Sequence, residues 1–391
     1  MANILNYMRW RGDLPFSINK FNSIDAAFFA TFVYLPFPTI SKKILLSDLA
    51  SEYINNQDML KKVNGYEKEQ LQLIPFCKRY GDLEILDWTN TIKTNPPVQF
   101  SAATFRLNKN TILVAFRGTD GSMIGIKEDI DLSFHPKTSG LTVAKHYLQR
   151  IATQFNNDNI YIVGHSKGGM FSQYAAIFAP QFIQDRIIKV YSFDGPGLMH
   201  NYYSPSKYKE VLPKFITYIP EGSIFGLMLD HPEHVLVVKS NANMLKQHNI
   251  IQWEVARNGF VLASNGLTNA SRILRHSFIS VNTKIPINDR ESLWMAIFSA
   301  LESQNVVDFS QLRDSKLRSA INLSQAYMSL SPQLKIVANE VISIIATSAK
   351  NHINIPFINK AKLLKPLSNN SNKGPIVDDS YDQTMQKNRL T

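Results

Sequence analysis

Gly164-His165-Ser166-Lys167-Gly168 constrains this chain more than any other segment. It matches G-x-S-x-G, and its context carries more than its letters. The apolar run Ile160 to Val163 ahead of it reads as a buried strand. Gly168 to Phe178 behind it reads as a helix, stopped by Pro180. A serine in so sharp a strand-to-helix turn projects its hydroxyl above the sheet. Small residues two positions to either side let strand and helix approach without a Cβ clash. Lys167 opens the helix, so its backbone N–H is free to face a developing oxyanion. A phosphate-binding loop would instead call for G-x-x-x-x-G-K-[ST], which the segment does not match.

The rest of the pattern surrounds that turn. Val98 to Leu107 alternates, Asn108-Lys109-Asn110 signals a turn, and Thr111 to Phe116 is apolar. Together they predict an antiparallel hairpin. Leu141 to Phe155 has helical periodicity, and strands are expected at Ile187–Phe193, Phe215–Ile219 and His234–Lys239. Strands alternating with helices predict an α/β fold, a mostly parallel sheet with helices on both faces. Residues 1–75 read as a helical arm on this core. Its helices are expected at Ile24–Tyr34, started by Ser23 or Asp25, and at Ser47–Asn55. The core is expected over 76–265. A helical extension over 266–365 holds helices at Arg290–Gln304, Ile321–Tyr327 and Leu334–Ala349. The polar stretch 366–391 reads as a disordered tail.

A nucleophilic serine needs a base, and the base needs an orienter. On such a sheet the chain order is serine, acid, histidine. His248 follows the last expected strand after a short loop and fits best. His231 and His234 precede that strand, and His276 lies beyond the sheet. Asp194 closes the strand Ile187–Phe193 and leads into Gly195-Pro196-Gly197, so it is the first choice of acid. Glu221, at the end of the next strand, is the alternative, and Asp230 is a third candidate. A plain Asx turn with Gly195 would also account for Asp194. Phe116-Arg117-Gly118-Thr119-Asp120 opens a loop after a strand. There the Thr119 N–H, with its hydroxyl, is the second oxyanion candidate beside Lys167. Arg117 and Asp120 read as loop-bracing ions. Asp129 and Asp131 stand two apart, but no His or carboxylate cluster in the sequence completes a metal site, so no metal and no cofactor are expected. The apolar segment Ile224 to Leu229 fits either a flap over an acyl pocket or plain core.

Composition narrows the classes further. With 391 residues, 23 Phe, 15 Tyr and 4 Trp, a large core is affordable and a disordered chain is excluded. Cys77 is the one cysteine, so neither an intrachain disulfide nor a multi-cysteine zinc site is possible. The start, Met1 to Asp13, does not resemble a signal peptide. The longest apolar stretch, Ala26 to Phe37, is too short to span a bilayer, so a cytoplasmic location is expected. The net charge of +11 is unevenly placed. Residues 1–255 hold 26 basic and 22 acidic side chains, and residues 256–391 hold 16 and 9. No run of five Lys or Arg occurs, so a nucleic-acid partner is not expected. A solvated face and a weak contact with an anionic membrane surface both fit this balance.

Taken in order, several of these segments resemble one family. Phe116-Arg117-Gly118-Thr119 with Gly164-His165-Ser166-Lys167-Gly168-Gly169 is similar to the class 3 lipases and, more closely, to the bacterial Mbeg-type lipase-like proteins. Trp10-Arg11-Gly12-Asp13, Ser192-Phe193-Asp194-Gly195-Pro196-Gly197, Ile219-Pro220-Glu221-Gly222-Ser223-Ile224-Phe225-Gly226 and Gln247-His248 followed by Trp253 extend the match. Ile126 departs from it, since the family tends to have Trp before Lys127-Glu128-Asp129. The resemblance implies an α/β-hydrolase fold and serine chemistry on a small-molecule or lipid ester. The competing expectation is a catalytically inactive hydrolase-fold protein that binds a ligand or a membrane surface.

Overall fold

The computed structural model describes residues 1–37, 43–94, 97–119, 123–135, 138–199, 208, 210–303 and 316–353. One eight-stranded sheet organises them, with its strands in chain order. They are β1 (Ile44–Leu45), β2 (Glu84–Thr94), β3 (Pro97–Asn108), β4 (Thr111–Phe116), β5 (Asn159–His165), β6 (Ile187–Phe193), β7 (Phe215–Pro220) and β8 (His234–Val238). Pairings from β1 to β4 are antiparallel, and those from β4 to β8 are parallel. The expected hairpin is β3–β4, closed by Asn108 opposite Thr111. Its turn is held by the Asn110 N–H on Asn108 Oδ1 at 3.0 Å. Each side of β4 is covered, so all six of its residues are buried and no polar alternation is visible in it.

The arm brings α1 (Ile4–Arg11), α2 (Ser23–Phe32), α3 (Leu46–Asn55), α4 (Gln57–Leu60) and α5 (Gly65–Leu73). The core adds α6 (Met123–Phe134), α7 (Ser139–Gln154), α8 (Lys167–Ile177) and α9 (Gln181–Gln184). Parallel neighbours joined by crossovers of one hand put their helices on one face of the sheet. That face is covered by α7 and α8, over Ile112, Val114, Phe116, Ile160 and Ile162. The opposite face would be bare without the arm. Leu113, Ala115, Val163 and Phe193 point that way and pack with Ile24, Phe28, Phe29 and Phe32 of the arm. The period of two along β4 and β5 thus splits one sheet between two cores.

The arm is fastened by a buried ion pair. Arg79 and Asp25 are fully buried, with Nε and Nη2 donating to the two carboxylate oxygens at 2.6 Å each. The remaining guanidinium hydrogens go to the carbonyls of Leu14, Asn19 and Lys20. Asp25 also accepts from the Tyr80 hydroxyl at 2.7 Å. All five donors of the Arg79 fork are therefore used, which a buried cation requires.

Several elements differ from expectation. The start of α2 is capped by Asn22, whose side chain accepts from Ile24 and Asp25, with Asp25 returning the bond. The arm is not purely helical, because β1 joins the sheet edge. The long strand β2 was not expected; in Glu84-Ile85-Leu86-Asp87-Trp88-Thr89 only Ile85 is fully buried and the others are partly exposed, and pairing with β3 holds it. Near the C-terminus lie α10 (Asn269–Lys284), α11 (Ile287–Ser303), α12 (Lys316–Ser329) and α13 (Pro332–Ile353). The last three answer to expected helices. The first is rich in Ser, Thr and Asn, and is held by a Thr268 cap and by Phe278 against Ile219, Leu227 and Val237. Leu293, Leu330 and Ala338 form the small core of this helical region. The expected tail over 366–391 lies outside the described residues. No helix among the described residues is long and apolar enough to cross a membrane. A buried crossover sheet with a strand–turn–helix at its centre is the α/β-hydrolase fold.

Removing the Asp25 carboxylate would leave the Arg79 cation buried and unpaired. Asp25→Ala is expected to cost about 3–5 kcal/mol, read as a lower urea midpoint at unchanged slope.

Candidate active site

Ser166 sits between β5 and α8 with φ 57° and ψ −131°, a conformation that L residues rarely adopt. The packing around it dictates that turn. A Cβ on Gly164 would lie 2.0 Å from the Gly168 carbonyl oxygen, and one on Gly168 would lie 2.2 Å from that of Phe116. Strand and helix therefore touch backbone to backbone, and the chain between them must bend sharply. The Ser166 N–H donates to Phe193 O at 3.0 Å, and its carbonyl accepts from the Gly169 N–H at 2.8 Å.

Asp194 ends β6 at φ 45° and is fully buried. Its Oδ2 meets His248 Nδ1 at 2.7 Å. Its Oδ1 accepts from Ser223 Oγ at 2.5 Å and from the Gly226 N–H at 3.2 Å. Of the three acid candidates, Asp194 is therefore the one bonded to His248. Glu221 is tied through its backbone, donating to Val238 O and accepting from Thr268 N–H. Asp230 bridges Leu198 through its backbone, behind the turn. The segment Ile224–Leu229 is neither a plain core helix nor a free flap. Phe225–Leu227 forms a short 3-10 turn that caps Asp194 through Gly226, and the Phe225 ring lies 4.4 Å from the His248 ring.

His248 ends a 3-10 turn, Met244–His248. The buried Trp253 indole donates to Gln247 O at 2.7 Å, and Gln247 Oε1 takes the Gly222 N–H at 2.8 Å. His165, beside the serine, donates from Nε2 to the His248 carbonyl at 2.8 Å. That bond leaves Nδ1 to accept the Tyr34 hydroxyl at 3.0 Å. The two imidazoles lie 4.5 Å apart. Tyr34 comes from the arm, so the arm is linked to His248 by way of His165. Of the other histidines, His231 is buried against Glu233 at 2.8 Å, with Gln173 and Thr217 on the same carboxylate.

The oxyanion candidates also come together. A Cβ on Gly118 would lie 2.9 Å from Ser166 Cβ, so the loop before Thr119 rests against the serine. The Thr119 hydroxyl donates to Asp129 Oδ2 at 2.6 Å. Lys167 begins α8, and its side chain is buried, donating to Glu128 Oε2 at 2.7 Å and Gln99 Oε1 at 3.0 Å. Burial raises the Glu128 carboxyl above its usual pKa, against the pull of Lys167. The neighbouring Asp129 is shifted the same way, by burial and against Lys167. Arg117 donates to Asn90 Oδ1 of β2 at 3.3 Å. Asp120 and the Asp131 side chain lie outside the described residues. Among the described residues no group of three His, Cys, Asp or Glu side chains is placed to hold a metal ion. Tyr34, Gln99 and Glu128 were missed in the sequence, because each reaches the site from a separate element.

Burial, and then the neighbouring His248, hold the His165 pKa well below the usual 6.5. Below about pH 6.5 the unfolded chain takes a proton at this position and the folded chain does not. Stability therefore rises with pH up to that value and levels off above it. This one group contributes a slope of up to about 1.4 kcal/mol per pH unit in that window. His165→Asn should flatten the fall in unfolding free energy between pH 7 and 5. Equal slopes in the two proteins would show that His165 titrates alike folded and unfolded.

Solved structures with detectable likeness include a lipase from Rhizopus microsporus var. chinensis, at 15% identity and TM-score 0.33 over 60% of this chain and 87% of that one. The Rhizomucor miehei lipase propeptide complex follows at 17% and 0.32, over 41% of this chain and 58% of that one. Lip2 lipase of Yarrowia lipolytica stands at 12% and 0.32, over 46% and 82%. Likeness at this level says nothing about substrate. Comparison with curated proteins gives no match. The Mbeg1-like family model matches residues 74–299, more than half of the chain and every strand from β2 to β8. The chain belongs to the Mbeg1-like family.

Proposed function

We propose that this protein hydrolyses carboxylic esters through an acyl-enzyme, with Ser166 as nucleophile, His248 as base and Asp194 as its orienter. The observation that carries this is the 2.7 Å contact of His248 Nδ1 with a buried Asp194, beside a serine in a strained strand-to-helix turn. Asp194 holds the Nδ1–H tautomer, which leaves Nε2 able to take a proton. Ser166 Oγ attacks the acyl carbon as His248 Nε2 removes its proton. The same proton then goes to the leaving alcohol, and water repeats the sequence on the acyl-enzyme. The N–H groups of Thr119 and Lys167 stabilise the oxyanion, and their cost of orientation is met in folding. Small-molecule and lipid esters are the proposed substrate class.

Ser166→Ala is expected to lower kcat by roughly 10³-fold or more, and Asp194→Asn by about 10²–10⁴-fold, at nearly unchanged KM. An acyl-chain series of nitrophenyl esters, with fluorophosphonate labelling, checks both. Ester turnover by Ser166→Ala near the wild-type rate would overturn the assignment. A folded wild type that neither labels nor turns over any ester would favour an inactive binding protein.

A further inference from the structure

We infer that Lys167 and Glu128 form a positioning pair for the oxyanion side of this site, an inference that rests on the ester-hydrolase assignment. Lys167 is an uncommon choice for its place. It is the first residue of α8, where the helix dipole disfavours a cation. Its side chain is only 2% exposed, and Glu128 only 1%, so both charges have left water. A buried pair of this kind is a poor way to gain stability, since apolar side chains of similar volume often do as well. Its distinctive property is direction.

The pair joins three elements. Glu128 lies on α6, and its Oε2 takes both the Lys167 ammonium at 2.7 Å and the Gln99 N–H of β3 at 2.9 Å. The Gln99 amide oxygen takes the same ammonium at 3.0 Å. The next residue on α6, Asp129, holds the Thr119 hydroxyl. Two adjacent carboxylates of one helix turn therefore hold the side chains of the two residues whose N–H groups are the proposed oxyanion donors. Glu128 fixes α6 to the first turn of the nucleophile helix, and Asp129 carries that position to Thr119. The fit is close on the far side as well, where a Cβ on Gly140 would lie 1.8 Å from Glu128 Oε1. If α6 slides by a few tenths of an ångström, Thr119 moves relative to Lys167, and an oxyanion hole tolerates little such error. Neither side chain touches the reacting atoms. Both act through the backbone donors.

The test uses the full chain with Glu128→Gln, Lys167→Met and the apolar pair Lys167→Met with Glu128→Leu. Three quantities are read: melting temperature, kcat and KM on a short nitrophenyl ester, and the rate of fluorophosphonate labelling at Ser166. Glu128→Gln is expected to lower kcat and the labelling rate about 10- to 100-fold, with KM within about threefold, less than the loss of an oxyanion donor outright. The apolar pair is expected to fold with a lower melting temperature, because the buried Gln99 N–H and Oε1 lose their partners, and to remain at least about tenfold slow. An apolar pair that regains wild-type kcat overturns the inference, because packing alone would then suffice. An apolar pair that fails to fold also overturns it, because the ion pair would then serve the fold. A folded wild type that neither labels at Ser166 nor turns over any ester sinks the ester-hydrolase assignment and this inference with it. A wild type that labels beside variants that label equally fast sinks the positioning role alone.

Discussion

The close approach of β5 and α8 is the constraint on which the rest of the structure depends. With Gly164 and Gly168 in backbone contact, the residue between them is forced to φ 57°, in a region that costs of order 1–3 kcal/mol for a residue with a side chain. The surroundings over-determine it. Phe193 holds the Ser166 N–H, the helix takes its carbonyl, and the Gly118 loop closes against its Cβ. Asp194, one residue beyond Phe193 and also at positive φ, is brought to the same sheet edge by the parallel pairing of β5 with β6. A strained serine and a strained acid thus share one backbone frame, and the histidine needs only to be delivered to it.

Delivery of His248 draws on parts of the chain that are far apart. Trp253 and Gln247 fix its turn, Phe225 and His165 pack on its ring, and the Tyr34 hydroxyl bonds His165 Nδ1. The arm is present for a topological reason. Strands in simple order place their crossover helices on one face, and the apolar second face needs a cover. α2 supplies it and is fastened by Arg79 and Asp25. Tyr34 follows α2 in the chain, so the cover of the sheet is also linked to the candidate base by way of His165.

Legibility followed the range of the interactions. β5 to β8, α7 and α8 are set by local hydrophobic period and appear where the residues predict them, whereas α6 and α9 were not expected. The exceptions are instructive. β2 carries Asp87, Thr89 and Asn90, and the sequence assigns it no element until β3 is seen to pair with it. α10 has weak helical composition and takes its stability from a cap and from Phe278. Asn22 was overlooked as the cap of α2 because Ser23 and Asp25 carry the same signal within three residues.

At the candidate site the division is sharper. The residues alone predict the strand–turn–helix around Ser166, which the structure shows, and they put His248 first among the histidines, since both readings depend on spacing along the chain. They put Asp194 first and keep Glu221 and Asp230 as alternatives, because spacing along the chain does not show which carboxylate meets the imidazole. Only the tertiary structure shows which of them meets His248, placing Asp194 2.7 Å from the imidazole. It alone also turned Lys167 from a helix start into a buried cation held by Glu128 and Gln99. Period and turn chemistry act between near neighbours and are written in order along the chain. Charge pairing acts through space, and which groups meet is known only when distant segments have packed.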